Sequence, residues 1–194
     1  MSIFDLIPED IFIQDIGKPE HDEYIKSGNC YEHYYDLAKK YNPKSILEIG
    51  TRYGYSLCSM VAGSMDTVEY VEGWDDNSYN PKSIEFARIN LTHILGYTNA
   101  YSFKCINSHN VKILDRQFDL VHVDGDHGYY GKLQDLDLIK NNCKVVIIDD
   151  YEYILEVHSA TNDFLVRNKD LIKDWYVIKS LRGTFVIEFK EYAC

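Results

Sequence analysis

The sequence is poor in cysteine and contains no long hydrophobic run. The five cysteines are scattered and form no CxxC pair, so neither a disulfide framework nor a zinc knuckle is predicted. Apolar runs such as 145–148 are far shorter than a membrane span. Acidic residues interrupt the apolar N-terminal stretch, unlike a signal peptide: Asp5, Glu9 and Asp10. We therefore expect a soluble, cytoplasmic protein with no membrane partner.

Positive charge is also scarce. The chain has 20 Lys and Arg residues against 31 Asp and Glu residues, which gives a formal net charge of −11 at pH 7. No cluster of basic residues is visible along the 194 residues. Because a negative long-range field repels phosphate, we expect no nucleic-acid partner.

The sequence has no internal repeat, low-complexity tract or flexible linker, so its length predicts one domain. Short β-branched runs alternate with stretches of helical spacing, which predicts a mostly parallel sheet with helices on both faces. The expected strands are 45–49, 67–71, 101–106, 118–123, 144–148, 173–180 and 183–190; the expected helices are 81–95, 128–142 and 152–168. The last two strands are too close for a crossover helix and must form an antiparallel hairpin. Residues 1–43, with a helix near 22–41, form a predicted N-terminal cap.

A glycine-containing turn follows the first predicted strand. Gly50 and Gly54 allow a tight turn and close approach of a ligand to the backbone, and the amides of the next helix follow them. The acidic residue Glu48 within the strand adds a charge that a purely structural turn does not need. Two glycines alone also fit an ordinary strand-to-helix turn.

An acidic residue follows the second predicted strand, about 20–25 residues beyond the glycine turn. Asp75 is best placed to accept hydrogen bonds from two ribose hydroxyl groups, with Glu72 and Asp76 as alternatives. Read alone, these residues could simply be turn acids. Together with the glycine turn, they favour nucleoside binding.

Four motifs in a fixed order resemble one enzyme family. They are LEIGTRYGYS, GWD, FDLVHVDGDHGYYG and VVIIDDY. This order is similar to class I S-adenosylmethionine-dependent methyltransferases, and most similar to small-molecule O-methyltransferases with a DGDH-type motif. The resemblance covers roughly residues 44–190. It departs from many relatives in having Tyr53 and only two glycines in the turn.

The resemblance implies a Rossmann-like fold with a seven-stranded, mostly parallel sheet that ends in an antiparallel hairpin. Residues 44–194 would form the S-adenosylmethionine-binding methyltransferase domain. Glu48 would hold the methionine end of the cofactor directly or through water, and Ser108 would contact the adenine. The remaining implied cofactor-binding residues are Gly50, Gly54, Ser56, Asp75 and Asp124.

Three carboxylates follow the fourth and fifth predicted strands. Neighbouring parallel strands lie about 4.8 Å apart, so Asp124, Asp149 and Asp150 can converge at one edge of the sheet. A hard cation such as Mg²⁺ would relieve their repulsion, and metal-dependent relatives use acidic ligands at these strand ends. His127 would receive the proton of the acceptor hydroxyl group. The alternatives are that the acids cap turns and that His127 packs beneath Gly128.

The expected reaction is Mg²⁺-assisted O-methylation of a small sugar, polyol or phenolic substrate. Four other classes are weighed against it. A nicotinamide-dependent oxidoreductase would have GxGxxG and no terminal hairpin, and an RNA methyltransferase would need an electropositive surface. A metal-using hydroxylase on the same fold and a non-catalytic nucleoside-binding protein are the remaining alternatives. The oligomeric state stays open, with a homo-oligomer among the options.

Overall fold

The computed structural model describes residues 1–9, 11, 17, 22 and 31–190. Their centre is one seven-stranded sheet with the order β3-β2-β1-β4-β5-β7-β6. Strands β1 to β5 are parallel, while β7 runs antiparallel to both β5 and β6. The strands are β1 Ser45–Ile49, β2 Tyr70–Asp75, β3 Ala100–Cys105, β4 Phe118–Val123, β5 Cys143–Ile148, β6 Ile172–Ile178 and β7 Thr184–Phe189. The predicted sheet and its terminal hairpin are confirmed.

Helices cover both faces of the sheet. They are α1 Glu32–Tyr41, α2 Tyr55–Gly63, α3 Ser83–Ile89, α4 Tyr129–Ile139 and α5 Leu155–Asn168. Successive strand residues point to opposite faces, so Ile46 packs into a core with α1 and α2, and Leu47 packs into a core with α4 and α5. Apolar residues on both faces explain why the central strands read as continuous hydrophobic runs. No helix in the described residues is long and apolar enough to span a membrane.

Several predicted boundaries differ from the structure. Strand β2 begins at Tyr70 because a turn after α2 uses the amides of Thr67 and Val68, which both donate to the Ser64 carbonyl. Helix α3 begins at Ser83 rather than Pro81, because the Asn80 side chain accepts from the Lys82 amide in a turn. A π-helical turn over Asn90–Ile94 then continues it. Of the helix predicted near 22–41, α1 is described, and 23–30 lie outside the described residues.

A polar cluster joins α1 to the terminal hairpin. The Tyr41 hydroxyl donates to Glu188 Oε1 at 2.6 Å and lies 2.8 Å from the Tyr176 hydroxyl. Lys40 Nζ donates to Tyr176 at 2.9 Å and lies 3.7 Å from Glu188. Helix α1 is therefore hydrogen-bonded to the last two strands, β6 and β7. Whether residues 1–43 act as a cap stays a prediction.

Candidate functional site

A cavity of about 600 Å³ opens at the carboxyl ends of the parallel strands. Strand β2 lies on one side of β1 and β4 lies on the other, so the strand order changes direction at β1. The cavity lies at this point. Ligands of open α/β sheets bind in this crevice because loops diverge there. The ends of β1 to β5 and the tip of the β6–β7 hairpin all contribute to its lining.

The glycine turn forms one wall. Gly50 has φ +86°, and a Cβ atom there would lie 2.2 Å from the Asp124 carbonyl oxygen. A side chain at this position is therefore excluded both by conformation and by space. Gly54, with φ +75°, immediately precedes α2. Gly50 lines the cavity, whereas Gly54 and Ser56 are not among its lining residues.

Asp75 lies at the end of β2 and faces the cavity. Its Oδ2 accepts from the Arg52 amide at 2.8 Å, and its Oδ1 accepts from the Asn77 amide at 2.6 Å. Burial raises the pKa of Asp75, while these two backbone hydrogen bonds oppose the rise. Each oxygen keeps further lone pairs for a ligand, and both are held in a fixed direction.

Glu48 lies behind the cavity in the fully buried interior. It sits directly opposite His122 in the β1–β4 register, and its Oε1 lies 2.8 Å from His122 Nδ1. The Ser56 hydroxyl donates to the same oxygen at 2.5 Å. Burial raises the pKa of Glu48, while the His122 hydrogen bond acts in the opposite direction. The structure assigns Glu48 and Ser56 to an internal network, so their cofactor contacts stay predictions.

Ser108 begins a short 3₁₀ turn after β3 and lines the cavity. Its hydroxyl donates to Asp135 Oδ1 at 2.6 Å. Asp135 belongs to α4 and is only 1% exposed. The position of Ser108 agrees with its predicted place beside a bound base, although the contact itself stays a prediction.

Two carboxylates and a histidine converge at the other end of the cavity. His127 Nε2 lies 3.2 Å from Asp124 Oδ1 and 3.1 Å from Asp150 Oδ2. These three ligand atoms all lie within 4.8 Å of one another. The hydrogen bonds to Asp124 and Asp150 raise the pKa of His127 to about 9. Burial opposes the ionisation of Asp124, but the His127 hydrogen bond lowers its pKa below the ordinary value. In this arrangement His127 is a cation between two carboxylates.

Asp149 is separated from this group. It lines a second, smaller cavity together with His33 and Tyr34. Burial, followed by the charges of Asp124 and Asp150, raises its pKa to about 6. Asp149 is a predicted ligand together with Asp124 and Asp150, and that role stays a prediction; the ligand atoms within 4.8 Å of one another belong to Asp124, His127 and Asp150. Consecutive residues after a strand point in different directions, and Asp150 adopts a left-handed backbone with φ +60°.

Sequence reasoning missed several residues of this site. The Arg52 guanidinium stacks 3.9 Å from the centroid of the Tyr79 ring, and both side chains line the cavity. Arg182, at the hairpin tip, lies 3.7 Å from Asp150 Oδ1. Arg52 lies within the LEIGTRYGYS motif but was given no role there. Tyr79 and Arg182 belong to no motif, and only the hairpin topology could have indicated Arg182.

Comparisons with known proteins agree with this geometry. Residues 47–151 match the model of a family described as a methyltransferase domain. The SAH-bound methyltransferase PaMTH1 of Podospora anserina has a TM-score of 0.63 at 19% identity, over 96% of this chain and 88% of that chain. The O-methyltransferase of Bacillus cereus in complex with SAH has a TM-score of 0.59 at 15% identity, over 97% and 100%. At these identities the likeness shows the fold. No curated protein sequence matches this chain significantly.

Proposed function

The chain belongs to the methyltransferase domain family, whose model covers more than half of it, and we propose that it transfers a methyl group from S-adenosylmethionine to a hydroxyl group of a small molecule. The observation that carries the proposal is a single cavity. Asp75, a carboxylate placed to bind ribose hydroxyl groups, lies at one end, and the Asp124–His127–Asp150 group lies at the other. The SAH-bound proteins of the same fold support the choice of cofactor. The Bacillus cereus protein among them is an O-methyltransferase, which supports the choice of acceptor atom.

In the proposed complex, Asp75 accepts hydrogen bonds from the ribose hydroxyl groups and Ser108 contacts the adenine. Gly50 has no side chain, so the methionine part of the cofactor can approach the backbone of the turn closely. The acceptor then lies beside Asp124 and Asp150. An oxygen lone pair of the acceptor forms the new bond to the methyl carbon, the carbon–sulfur bond breaks, and the sulfonium becomes a neutral thioether. The hydroxyl proton must leave to a base, and positioning of the two reactants supplies much of the rate.

The donor set at this end suits a divalent cation. Two carboxylate oxygens and one imidazole nitrogen lie close together, and Asp150 Oδ1 is buried with no hydrogen-bond partner among the described residues. Asp124 and Asp150 would hold the ion, which would lower the pKa of a hydroxyl acceptor by Lewis acidity, and His127 would stay beside the ion as the base. Carboxylate oxygens match the preference of Mg²⁺. Asp149 stays a predicted ligand, although its position beside Tyr34 gives it less support.

His127 is the proposed proton acceptor, and that role requires its neutral form. Its two hydrogen bonds to carboxylates favour the cationic form, with a pKa of about 9. The role therefore depends on loosening at least one of these bonds when the acceptor and its ion are bound. The proposed setting is cytoplasmic, with no nucleic-acid partner.

Calorimetry with S-adenosylhomocysteine and with NAD tests the cofactor. We expect binding of S-adenosylhomocysteine and none of NAD, and we expect Asp75→Ala to weaken binding about 10-fold or more because charge-assisted hydrogen bonds are lost. Binding of NAD alone would refute the proposal. A screen of hydroxylated acceptors, read out as S-adenosylhomocysteine release, identifies the substrate.

The metal is tested separately on the active enzyme. EDTA treatment should abolish activity, and added Mg²⁺ should restore it. The Asp150→Ala variant should be inactive, and added Mg²⁺ should not restore its activity. Asp137→Asn, on the outer side of α4, is the matched control. Full activity in EDTA would remove the ion from the proposal and leave the methyl transfer intact.

A further inference from the structure

The proton of the Ser108 hydroxyl group is already used in a hydrogen bond to Asp135. Its Oγ donates to Asp135 Oδ1 at 2.6 Å, and an ionised carboxylate can only accept hydrogen bonds. A hydroxyl group has one proton and two lone pairs. While Ser108 donates to Asp135, it can therefore only accept a hydrogen bond from a ligand in the cavity.

Two basic side chains lie near Asp135. Lys132, one helical turn earlier, is fully buried and donates to the Val123 carbonyl at 3.2 Å. His109 Nε2 lies 3.7 Å from Asp135 Oδ1. Burial raises the pKa of Asp135, and the Ser108 hydrogen bond, followed by the charges of Lys132 and His109, offsets part of this rise. In the hydrogen bond between the two side chains, Ser108 is the donor and Asp135 the acceptor.

Ser108 lies where the base of a nucleoside would lie. Asp75, the ribose ligand of the proposed function, is the register partner of Cys105, three residues before Ser108. Neighbouring strands are about 4.8 Å apart, so a base attached to a ribose at Asp75 reaches the end of β3. Ile106, Asn107 and Ser108 line the cavity there.

We propose that Asp135 is a positioning residue that fixes Ser108 as a hydrogen-bond acceptor and thereby selects a 6-aminopurine over a 6-oxopurine. This inference rests on the proposed function. The 6-amino group of adenine donates to Ser108 Oγ. A 6-oxo group would bring a second acceptor against the same oxygen, with no proton between them. Sites built around one hydrogen-bond direction reject the analogue that leaves their polar groups unpaired.

The test compares two ligands by calorimetry on the full chain: S-adenosylhomocysteine and S-inosylhomocysteine, whose base carries a 6-oxo group. For the wild type we expect the adenosyl ligand to bind about 10-fold or more tightly, as expected for a buried polar group left unpaired. In Asp135→Ala the Ser108 hydroxyl can turn its proton toward the ligand, so the ratio of the two dissociation constants should fall to about 3 or less. A role of Asp135 in stability alone would not change this ratio.

Asp135→Leu has a similar branched shape and no hydrogen-bond acceptor, and it is the second variant if Asp135→Ala does not fold. Asp137→Asn is the matched control on the same helix, because Asp137 pairs with Lys140 and Arg167 at the surface. The control should keep the wild-type ratio. A wild-type ratio in the folded Asp135 variants overturns the inference and leaves the proposed function intact. Failure of the wild type to bind S-adenosylhomocysteine overturns both.

Discussion

The buried Glu48–His122 pair allows a quantitative prediction of the free energy of unfolding. Both side chains are fully buried, and within the described residues Glu48 Oε2 and His122 Nε2 have no hydrogen-bond partner. Replacing His122 by Leu removes the imidazole partner and leaves the Glu48 carboxyl group with the Ser56 hydroxyl alone. Breaking a buried pair in this way costs about 3–5 kcal/mol, a large part of the roughly 5–15 kcal/mol that stabilises a domain.

Urea unfolding followed by circular dichroism measures the loss in free energy, and heating of the same samples gives the thermal midpoint. For a chain of this length, each kcal/mol corresponds to about 2–4 °C, so the thermal midpoint of His122→Leu should fall by about 6–20 °C. Burial raises the pKa of Glu48, and the His122 hydrogen bond opposes this rise in the wild type. Without His122 that pKa lies further above its value in the unfolded chain, so the stability of His122→Leu should fall as the pH rises from about 5 to about 8.

A second variant separates the pair from the packing around it. Glu48→Met combined with His122→Leu removes both charges, and replacement of a buried pair by apolar residues is often neutral or stabilising. We expect the double variant to recover most of the loss. The reasoning fails if His122→Leu loses less than about 1 kcal/mol, or if the double variant is no more stable than the single one.

Three further predictions concern other residues. Gly50→Ala should abolish S-adenosylhomocysteine binding in calorimetry, because its Cβ would lie 2.2 Å from the Asp124 carbonyl oxygen; retained affinity would contradict the turn geometry. Glu72→Ala should lower the free energy of unfolding by about 2–3 kcal/mol, since this 1% exposed carboxylate accepts from Trp74 Nε1 and pairs with Lys104 at 2.6 Å. Tyr41→Phe should cost only about 1–2 kcal/mol in the same assay, because the hydrogen bonds of its hydroxyl group to Glu188 and Tyr176 are lost at a half-exposed site.

The parts of the site that follow directly from chain order could be predicted from the sequence. Gly50 and Asp75 were found because a strand, a glycine turn and an acidic residue recur at a fixed spacing, and parallel strands bring their ends together. The family membership and the terminal hairpin were predicted for the same reason.

The parts that depend on register and side-chain direction could not be predicted. The cofactor contact of Glu48 stays a prediction, whereas its hydrogen bond to His122, 74 residues away, arises only through the β1–β4 register. Asp149 and Asp150 are adjacent in sequence, but the left-handed backbone of Asp150 sends the two side chains to different cavities. A local sequence pattern contains neither kind of information.

The cluster that joins α1 to the hairpin also constrains the order of events during synthesis. Tyr41 is synthesised 147 residues before its partner Glu188. The helix cannot complete its contacts until β7 has been made, and Arg182, which closes the acidic end of the cavity, is made shortly before β7. A nascent chain that ends before β6 therefore holds the central parallel strands with neither the Tyr41–Glu188 bond nor the Arg182 wall. The complete cavity forms only after the hairpin has been synthesised.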